Sequence, residues 1–316
     1  MAGHLRENGK AGALVDAESG VWYKPLQAGP RGKREVAFYE AVFRGGGGGG
    51  GGGRAGGGPE EEEGIFPASA SSAHYRCFVP SCAVVLTRFV PRFYGQREVT
   101  GRPYLLLEDF TRIYQNPSIV DVKVGFRTWS PEAGEAAILK CRQKDRATTS
   151  GALGFKICGM QIFEGVCGCY FKASKNWCKS NLTPPLVAGL LGRFPQNGTG
   201  LCAADVYGGP RGALAQLRAL EAWFESQTDF HFFSASVLIL YEGAAKRAED
   251  AHVQVKLVDF AHTYWGVGKR DDNFLGGIRA LADALADALE QAPRCEARGA
   301  RAAEGCPAGF ERWCEA

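Results

Sequence analysis

Long apolar runs are missing from this 316-residue chain: the densest stretches, such as Val237 to Tyr241, fall far short of the roughly 20 residues that cross a bilayer as a helix. No membrane span is expected. The segment Met1 to Lys10 carries Arg6, Glu7 and Lys10 without an apolar stretch behind them, so no secretory leader is expected and the chain reads as intracellular. An excess of either charge is missing too. Lys and Arg number 37 against 34 Asp and Glu, a net charge of +3, which by itself selects neither nucleic acid nor an anionic membrane as partner. Any anion site must be local. There is no C-x-x-C pair among the eleven cysteines, and the chain is long enough to fold without staples. Reduced thiols with no structural disulfide are expected, and Cys167-x-Cys169 with Cys158 and Cys178 nearby reads as buried thiols rather than a metal site. A P-loop is excluded, because Gly9-Lys10, Gly32-Lys33 and Gly268-Lys269 are each followed by the wrong residue.

Hydrophobic residues make up 45% and charged residues 22%, ordinary globular usage that suits one large domain or two lobes sharing a cleft. Glycine is the outlier at 43, and twelve of these lie between Gly45 and Gly58. That tract, the acidic run Glu60 to Glu63 and the Ala/Ser stretch after it cannot bury enough apolar surface to order themselves, so 44–73 reads as a disordered insertion. Before it, Val21 to Leu26 reads as a strand, and Val36, Tyr39 and Phe43 mark a helix. After it, Tyr104 to Leu107 reads as a buried strand ending at Glu108-Asp109-Phe110, where the junction between lobes is placed. Ser118 to Val124 alternates, with Val120, Val122 and Val124 on one face and Ile119, Asp121 and Lys123 on the other. A helix is expected from Pro131 to Asp145, strands over 155–163, 236–241 and 253–260, and helices marked by Leu214, Leu217, Leu220, Phe224 and by Phe274, Ile278, Leu281, Leu285. Beyond Pro293 the pattern decays into a tail.

Several pieces suit phosphoryl transfer. Trp22-Tyr23-Lys24 puts a lysine on an early strand, Glu108 ends the three-leucine strand, and Leu257-Val258-Asp259-Phe260 puts an aspartate at a late strand's end. In that order they resemble a protein-kinase cleft: a lysine for nucleotide phosphates, a hinge for adenine and an aspartate for Mg²⁺. No H-R-D-L-x-x-x-N loop is present, so an ordinary protein kinase is not expected.

The segment Pro117 to Gly125 matches P-x-x-x-D-x-K-x-G through Asp121, Lys123 and Gly125. It resembles the signature of the inositol polyphosphate kinase family. Ser236 to Glu242 is similar to that family's S-[SL]-L-x-x-x-Y-[ED] strand, and Val258 to His262 to its [IV]-D-F-[AG]-[HK] metal motif. Plant-type members of the family look nearest, through Lys24 to Gln27, Arg127-Thr128-Trp129, Val206 to Gly209, Trp223-Phe224-Glu225 and Asn273 to Gly277. The likeness spans about residues 20–290. It implies a two-lobed α+β fold of the SAICAR-synthase/protein-kinase-like type, with 1–43 and 74–110 as the nucleotide lobe, 111–292 as the second lobe, an inositol-phosphate segment at about 131–194 and a tail at 293–316.

The likeness implies a role in the site for each of several residues. Asp121 and Lys123 are the catalytic pair; on a strand face they project about 7 Å apart. Lys24, Glu108, Phe110, Asp121 and Asp259 bind ATP, main-chain groups near Glu108 and Phe110 reading adenine, and Asp259 holds Mg²⁺. Lys123, Arg127, Lys140, Lys144 and His262 hold inositol phosphate, with Arg142 a further candidate. Ala133, Ala137, Lys140 and Lys144 would share one side of the helix as a seat for the phosphorylated ring. Ser236 supports the cleft. The expected reaction carries inositol 1,4,5-trisphosphate through a tetrakisphosphate to a pentakisphosphate with ATP and Mg²⁺, by a monomer of nucleus and cytoplasm with no direct nucleic-acid partner. Rivals are a single-step 3-kinase, a diphosphoinositol-forming kinase, and a scaffold that keeps the fold without catalysis.

Overall fold

Two antiparallel sheets of unequal size meet at a cleft in the computed structural model, which describes residues 12–44, 85–130, 132–266, 268–292 and the backbone of 311–313. The smaller sheet has strand order β1-β2-β4-β3, built from β1 (Leu14–Asp16), β2 (Val21–Pro25), β3 (Phe93–Val99) and β4 (Arg102–Glu108). Helix α1 (Pro30–Arg44) follows β2 and turns Phe38, Tyr39 and Val42 inward, each at most 2% exposed. The expected stripe of Val36, Tyr39 and Phe43 is therefore rotated: Val36 and Phe43 are only half-buried. The proposed insertion, apart from Arg44, lies outside the described residues.

The larger sheet runs β10-β9-β5-β6-β7-β12. Its strands are β5 (Pro117–Val124), β6 (Phe155–Glu164), β7 (Cys169–Ala173), β9 (Ser236–Glu242), β10 (Gln254–Val258) and β12 (Glu311–Trp313). The alternation read in β5 is realised. Val120, Val122 and Val124 are fully buried, each side chain contributing about 1.5 to 3 kcal/mol of burial energy against helix α8 (Asp272–Glu290), whose Phe274, Ile278, Leu281 and Leu285 are likewise fully buried. Helix α7 (Ala213–Ser226) lies beside α8 with Leu217, Leu220 and Phe224 inward.

An aromatic joint ties α1 to the segment after β10 and to a third, two-stranded sheet. Phe38 of α1 stacks on Phe260 at 4.0 Å and meets Phe230 and Phe232 edge-on at 5.3 and 5.6 Å. The latter two belong to β8 (Phe230–Phe232), which pairs with β11 (Thr263–Trp265). Contacts of this type add about 0.5 to 1.5 kcal/mol each beyond area burial, so α1 is seated on the segment that follows Asp259.

Two sequence expectations fail here. Cys169 and Cys202 each take part in a disulfide, although Cys141, Cys158, Cys167 and Cys178 are free. Within the tail that reads as patternless, residues 311–313 form β12, which pairs with β7, Trp313 in register with Tyr170. No helix among the described residues is long and apolar enough to cross a membrane.

Candidate active site

Strand register sets the cleft face of the large sheet. Opposite residues across antiparallel strands share a face, so Lys156, Lys123, Ser236 and Val258 form one row across β6, β5, β9 and β10. One step along the strands, Gly159, Asp121, Leu238 and Lys256 form the next. Beyond it, Ile119, Leu238 and Leu240 pack with Phe110 and Tyr114 into a small apolar cluster against which Val258 lies. The face thus grades from an apolar floor beneath the junction at residues 108–110 to a charged end, and Asp259 follows directly on Val258 at that end.

Lys24, on β2, reaches across the cleft. Its Nζ donates to Glu35 Oε1 at 2.7 Å and to Asp259 Oδ1 at 2.9 Å. Burial alone would lower the proton affinity of this amine, but the charges of Asp259 and Glu35 outweigh it and hold Lys24 protonated. Glu35 escaped the sequence reading. It lies fully buried on the inward face of α1, on the stripe with Phe38, Tyr39 and Val42, and its Oε2 has no hydrogen-bond partner. A glutamate on a core stripe one element after a strand lysine was the available signal. Asp259 adopts a left-handed backbone conformation (φ 69°), an uncommon one for a non-glycine residue, and its side chain stays 40% exposed.

Asp121 carries the opposite environment. Burial pushes its carboxyl upward; Lys123 counters and the charge of Asp259 reinforces the shift. Its Oδ1 is buried without a partner. The Ser236 hydroxyl beside it weighs against the shift without closing a hydrogen bond of ordinary geometry. Lys123 donates to the carbonyl of Ser234. The β5–β6 pairing slips between Asp121 and Val122, leaving Cys158 opposite no residue and placing its thiol, raised by burial and by Asp121, against the site.

Lys156 and Lys175 are further cations that sequence reasoning missed. Lys156 lies opposite Lys123 between buried Phe155 and Ile157, and burial lowers its amine, with Lys123 and Lys144 adding to the effect. Lys175, at the start of helix α4 (Lys175–Asn181), acts on Asp121. His262 is lowered by burial and by Arg31, Lys123 and Arg34, against Asp259. Arg34 itself stacks over Tyr264 at 4.3 Å.

Helix α2 (Glu135–Arg146) carries Lys140 and Lys144, both exposed and in no ion pair among the described residues. It begins later than expected, with Gly134 as N-cap, so Ala133 is outside the helix and does not share its seat. Arg127 lies over the rings of Trp129 and Phe233 at 5.2 and 5.5 Å, and its Nε is buried without a partner. At the junction, the Glu108 amide donates to Arg92 O, the Glu108 carboxylate accepts from Arg92 N, and Asp109 N donates to Gly20 O. The Glu108 side chain is therefore spent on structure. Phe110 is 4% exposed, with its ring in the apolar floor.

This chain has clear relatives. A family model described as inositol polyphosphate kinase matches residues 104–286. The inositol polyphosphate multikinase IPK2 of Oryza sativa subsp. japonica is 37% identical over 314 residues, covering 92% of this chain and 95% of that protein. The chain belongs to the inositol polyphosphate kinase family. Inositol polyphosphate multikinase beta of Arabidopsis thaliana is 34% identical, covering 92% of each. A solved inositol phosphate multikinase structure superposes with a TM-score of 0.58 at 36% identity, over 64% of this chain and 90% of that one. The inositol phosphate multikinase Ipk2 of S. cerevisiae, in complex with ADP and Mn²⁺, gives 0.60 at 20% identity, over 84% and 98%, and shares the fold. The two-lobed α+β architecture expected from the motifs is the one found.

Proposed function

We propose that this protein is an ATP-dependent inositol polyphosphate multikinase that carries inositol 1,4,5-trisphosphate through a tetrakisphosphate to a pentakisphosphate. The observation that carries the reading is the gathering of Lys24, Asp259, Lys123 and Asp121 at one end of the cleft face, with cations of β6 and α2 beyond them. Relatives named as multikinases along nearly the whole chain support it.

The residues suit a magnesium nucleotide. Among the described residues no cluster of three or more His, Cys, Asp or Glu could hold a metal by itself. Mg²⁺ bound through one or two carboxylates, phosphates and water needs no such cluster, and the half-exposed Asp259 carboxylate offers that single anchor. Such an ion, when bound, neutralises charge on the nucleotide phosphates. The chain's own groups do the rest. Lys24, kept charged and oriented by Glu35, meets the nucleotide phosphates. Lys123 faces charge building on the transferred group. Asp121, buried with an unpartnered oxygen and a raised proton affinity, is poised to accept a hydrogen bond from the attacking hydroxyl and draw its proton. Lys140, Lys144, Lys156, Arg127 and His262 hold phosphates that do not react. The apolar floor of Ile119, Leu238, Leu240 and Phe110 takes the adenine face, with main-chain groups at 108–110 along its edge.

Kinetics of single variants test this. Lys140→Ala, Lys144→Ala and Lys156→Ala should raise KM for inositol trisphosphate about tenfold or more with KM for ATP little changed, because contacts to non-reacting phosphates are similar in ground and transition states. Effects confined to KM for ATP would overturn the assignment of the inositol site.

A further inference from the structure

Helix α2 has almost no hold on the core. Of its twelve residues Glu135–Arg146 only Asp145 is buried, at 5% exposure, while Leu139 is 58% exposed. An acid in the last turn of a helix opposes the macrodipole, and a buried carboxylate is costly unless well bonded, so neither helix stability nor burial accounts for an aspartate at this place. Its bonds do. Thr128 N donates to Asp145 Oδ2 at 2.9 Å and Thr128 Oγ1 to Asp145 Oδ1 at 2.8 Å.

Thr128 is itself tied to the reacting centre. Ser234 Oγ donates to Thr128 O at 2.9 Å, and Lys123 Nζ donates to the carbonyl of Ser234. Ser234 holds a left-handed backbone (φ 59°), the geometry that lets one residue bond Thr128 with its side chain and Lys123 with its carbonyl. A second strap runs alongside: the guanidinium groups of Arg127 and Arg142 both lie over the Trp129 ring, at 5.2 and 4.9 Å. The chain of contacts Lys123, Ser234, Thr128, Asp145 thus joins the cation beside the reaction to the helix bearing Lys140 and Lys144.

We propose that Asp145 is a positioning residue for the inositol phosphate, its carboxylate locking α2 to the Thr128 turn so that Lys140 and Lys144 stand at a fixed distance from Lys123. The inference rests on the reading of α2 as the substrate helix. A six-membered ring carrying phosphates at set positions is recognised only if cations on α2 and on β5 keep their spacing, and a misplacement near 1 Å costs up to about a hundredfold in rate. With so little apolar burial, α2 has few other means of holding that register.

The test compares Asp145→Ala, Asp145→Asn and Thr128→Val in the full chain. Asparagine keeps an acceptor for Thr128 N and a polar partner for its hydroxyl, so it separates geometry from charge. The expected result for Asp145→Ala is a tenfold or larger rise in KM for inositol trisphosphate, KM for ATP within about twofold, and faster amide hydrogen exchange in 135–146 but not in β5. Asp145→Asn should recover most of this, and Thr128→Val should fall between. Unchanged KM for the inositol phosphate with unchanged exchange in α2 overturns the proposal, as does a parallel loss of affinity for both substrates. Should the unaltered protein phosphorylate no inositol phosphate, the substrate reading fails separately, and the exchange comparison still decides whether Asp145 anchors α2.

Discussion

Lys24 Nζ stands 2.7 Å from the fully buried carboxylate of Glu35, so the strand that offers a cation to the cleft and the helix packed behind it are set by one ion pair. Removing one partner of a buried pair leaves the other charge uncompensated, at a cost of about 3 to 5 kcal/mol. Lys24 keeps Asp259 as a second partner and is 11% exposed, which places the loss at the lower end, about 3 kcal/mol. Glu35→Ala should show that loss in urea denaturation together with a rise in KM for ATP. Retained stability and ATP affinity would remove Glu35 from the nucleotide site.

Asp121→Asn should separate stability from activity. The carboxyl is raised chiefly by burial, so the folded state binds its proton more tightly than the unfolded state does. That makes the ionised group a net cost to stability, growing as pH rises above the usual carboxylate range. The amide removes the cost. Turnover should fall by a factor of about 10² to 10⁴, the usual contribution of a positioned base, while the melting temperature at neutral pH holds or rises. A marked drop in melting temperature would mean that the ionised carboxylate is a structural keystone instead.

His262 gives a pH signature. Its folded-state affinity for a proton is below the ordinary value near 6.5, through burial and the charges of Arg31, Lys123 and Arg34. Below that pH the unfolded chain takes up a proton that the native imidazole resists, so acidification favours unfolding through this group until the native pKa is passed. In His262→Gln the loss of stability between about pH 7 and 5 should be shallower than in the unaltered protein. Superimposable pH profiles would show that the histidine is not shielded.

Gly277 in α8 should reject the substitution that usually favours helices. Alanine is better than glycine in a helix interior by about 1 kcal/mol. A Cβ here would stand 2.5 Å from Gly154 O and 2.7 Å from Gly125 N, both backbone atoms that cannot turn aside. Overpacking of this kind costs about 1 to 3 kcal/mol, so Gly277→Ala should be destabilising in a chemical melt. Stabilisation would mean that the turn after β5 can move away from α8.

Much of this molecule was legible because its main strands and helices obey their periods. The alternation of Ser118 to Val124 placed Asp121 and Lys123 on the cleft face, and the stripe from Phe274 to Leu285 placed α8. Glu35 was lost because an apolar stripe drawn through Val36, Tyr39 and Phe43 leaves it off the buried face, whereas the true stripe includes a charge that is buried only because Lys24 is there to meet it. Lys156, and the place of the Cys158 thiol beside the site, were lost for another reason: the bulge opposite Asp121 breaks the alternation of β6, so the faces of its residues cannot be read without the partner strand. Asp145, in sequence an ordinary polar helix residue, gains its meaning only from Thr128, seventeen positions earlier. That Cys169 and Cys202 each take part in a disulfide is a fact no local sequence pattern records.

The central claim is tested most directly by identifying products. Purified protein incubated with ATP, Mg²⁺ and inositol 1,4,5-trisphosphate, with products separated by anion-exchange chromatography and assigned by NMR, should yield a tetrakisphosphate that is consumed in turn to a pentakisphosphate, and Asp259→Asn should yield neither. Accumulation of a single tetrakisphosphate without further conversion would contradict the multikinase reading, and ATP left intact with every inositol phosphate supplied would contradict the phosphotransfer itself.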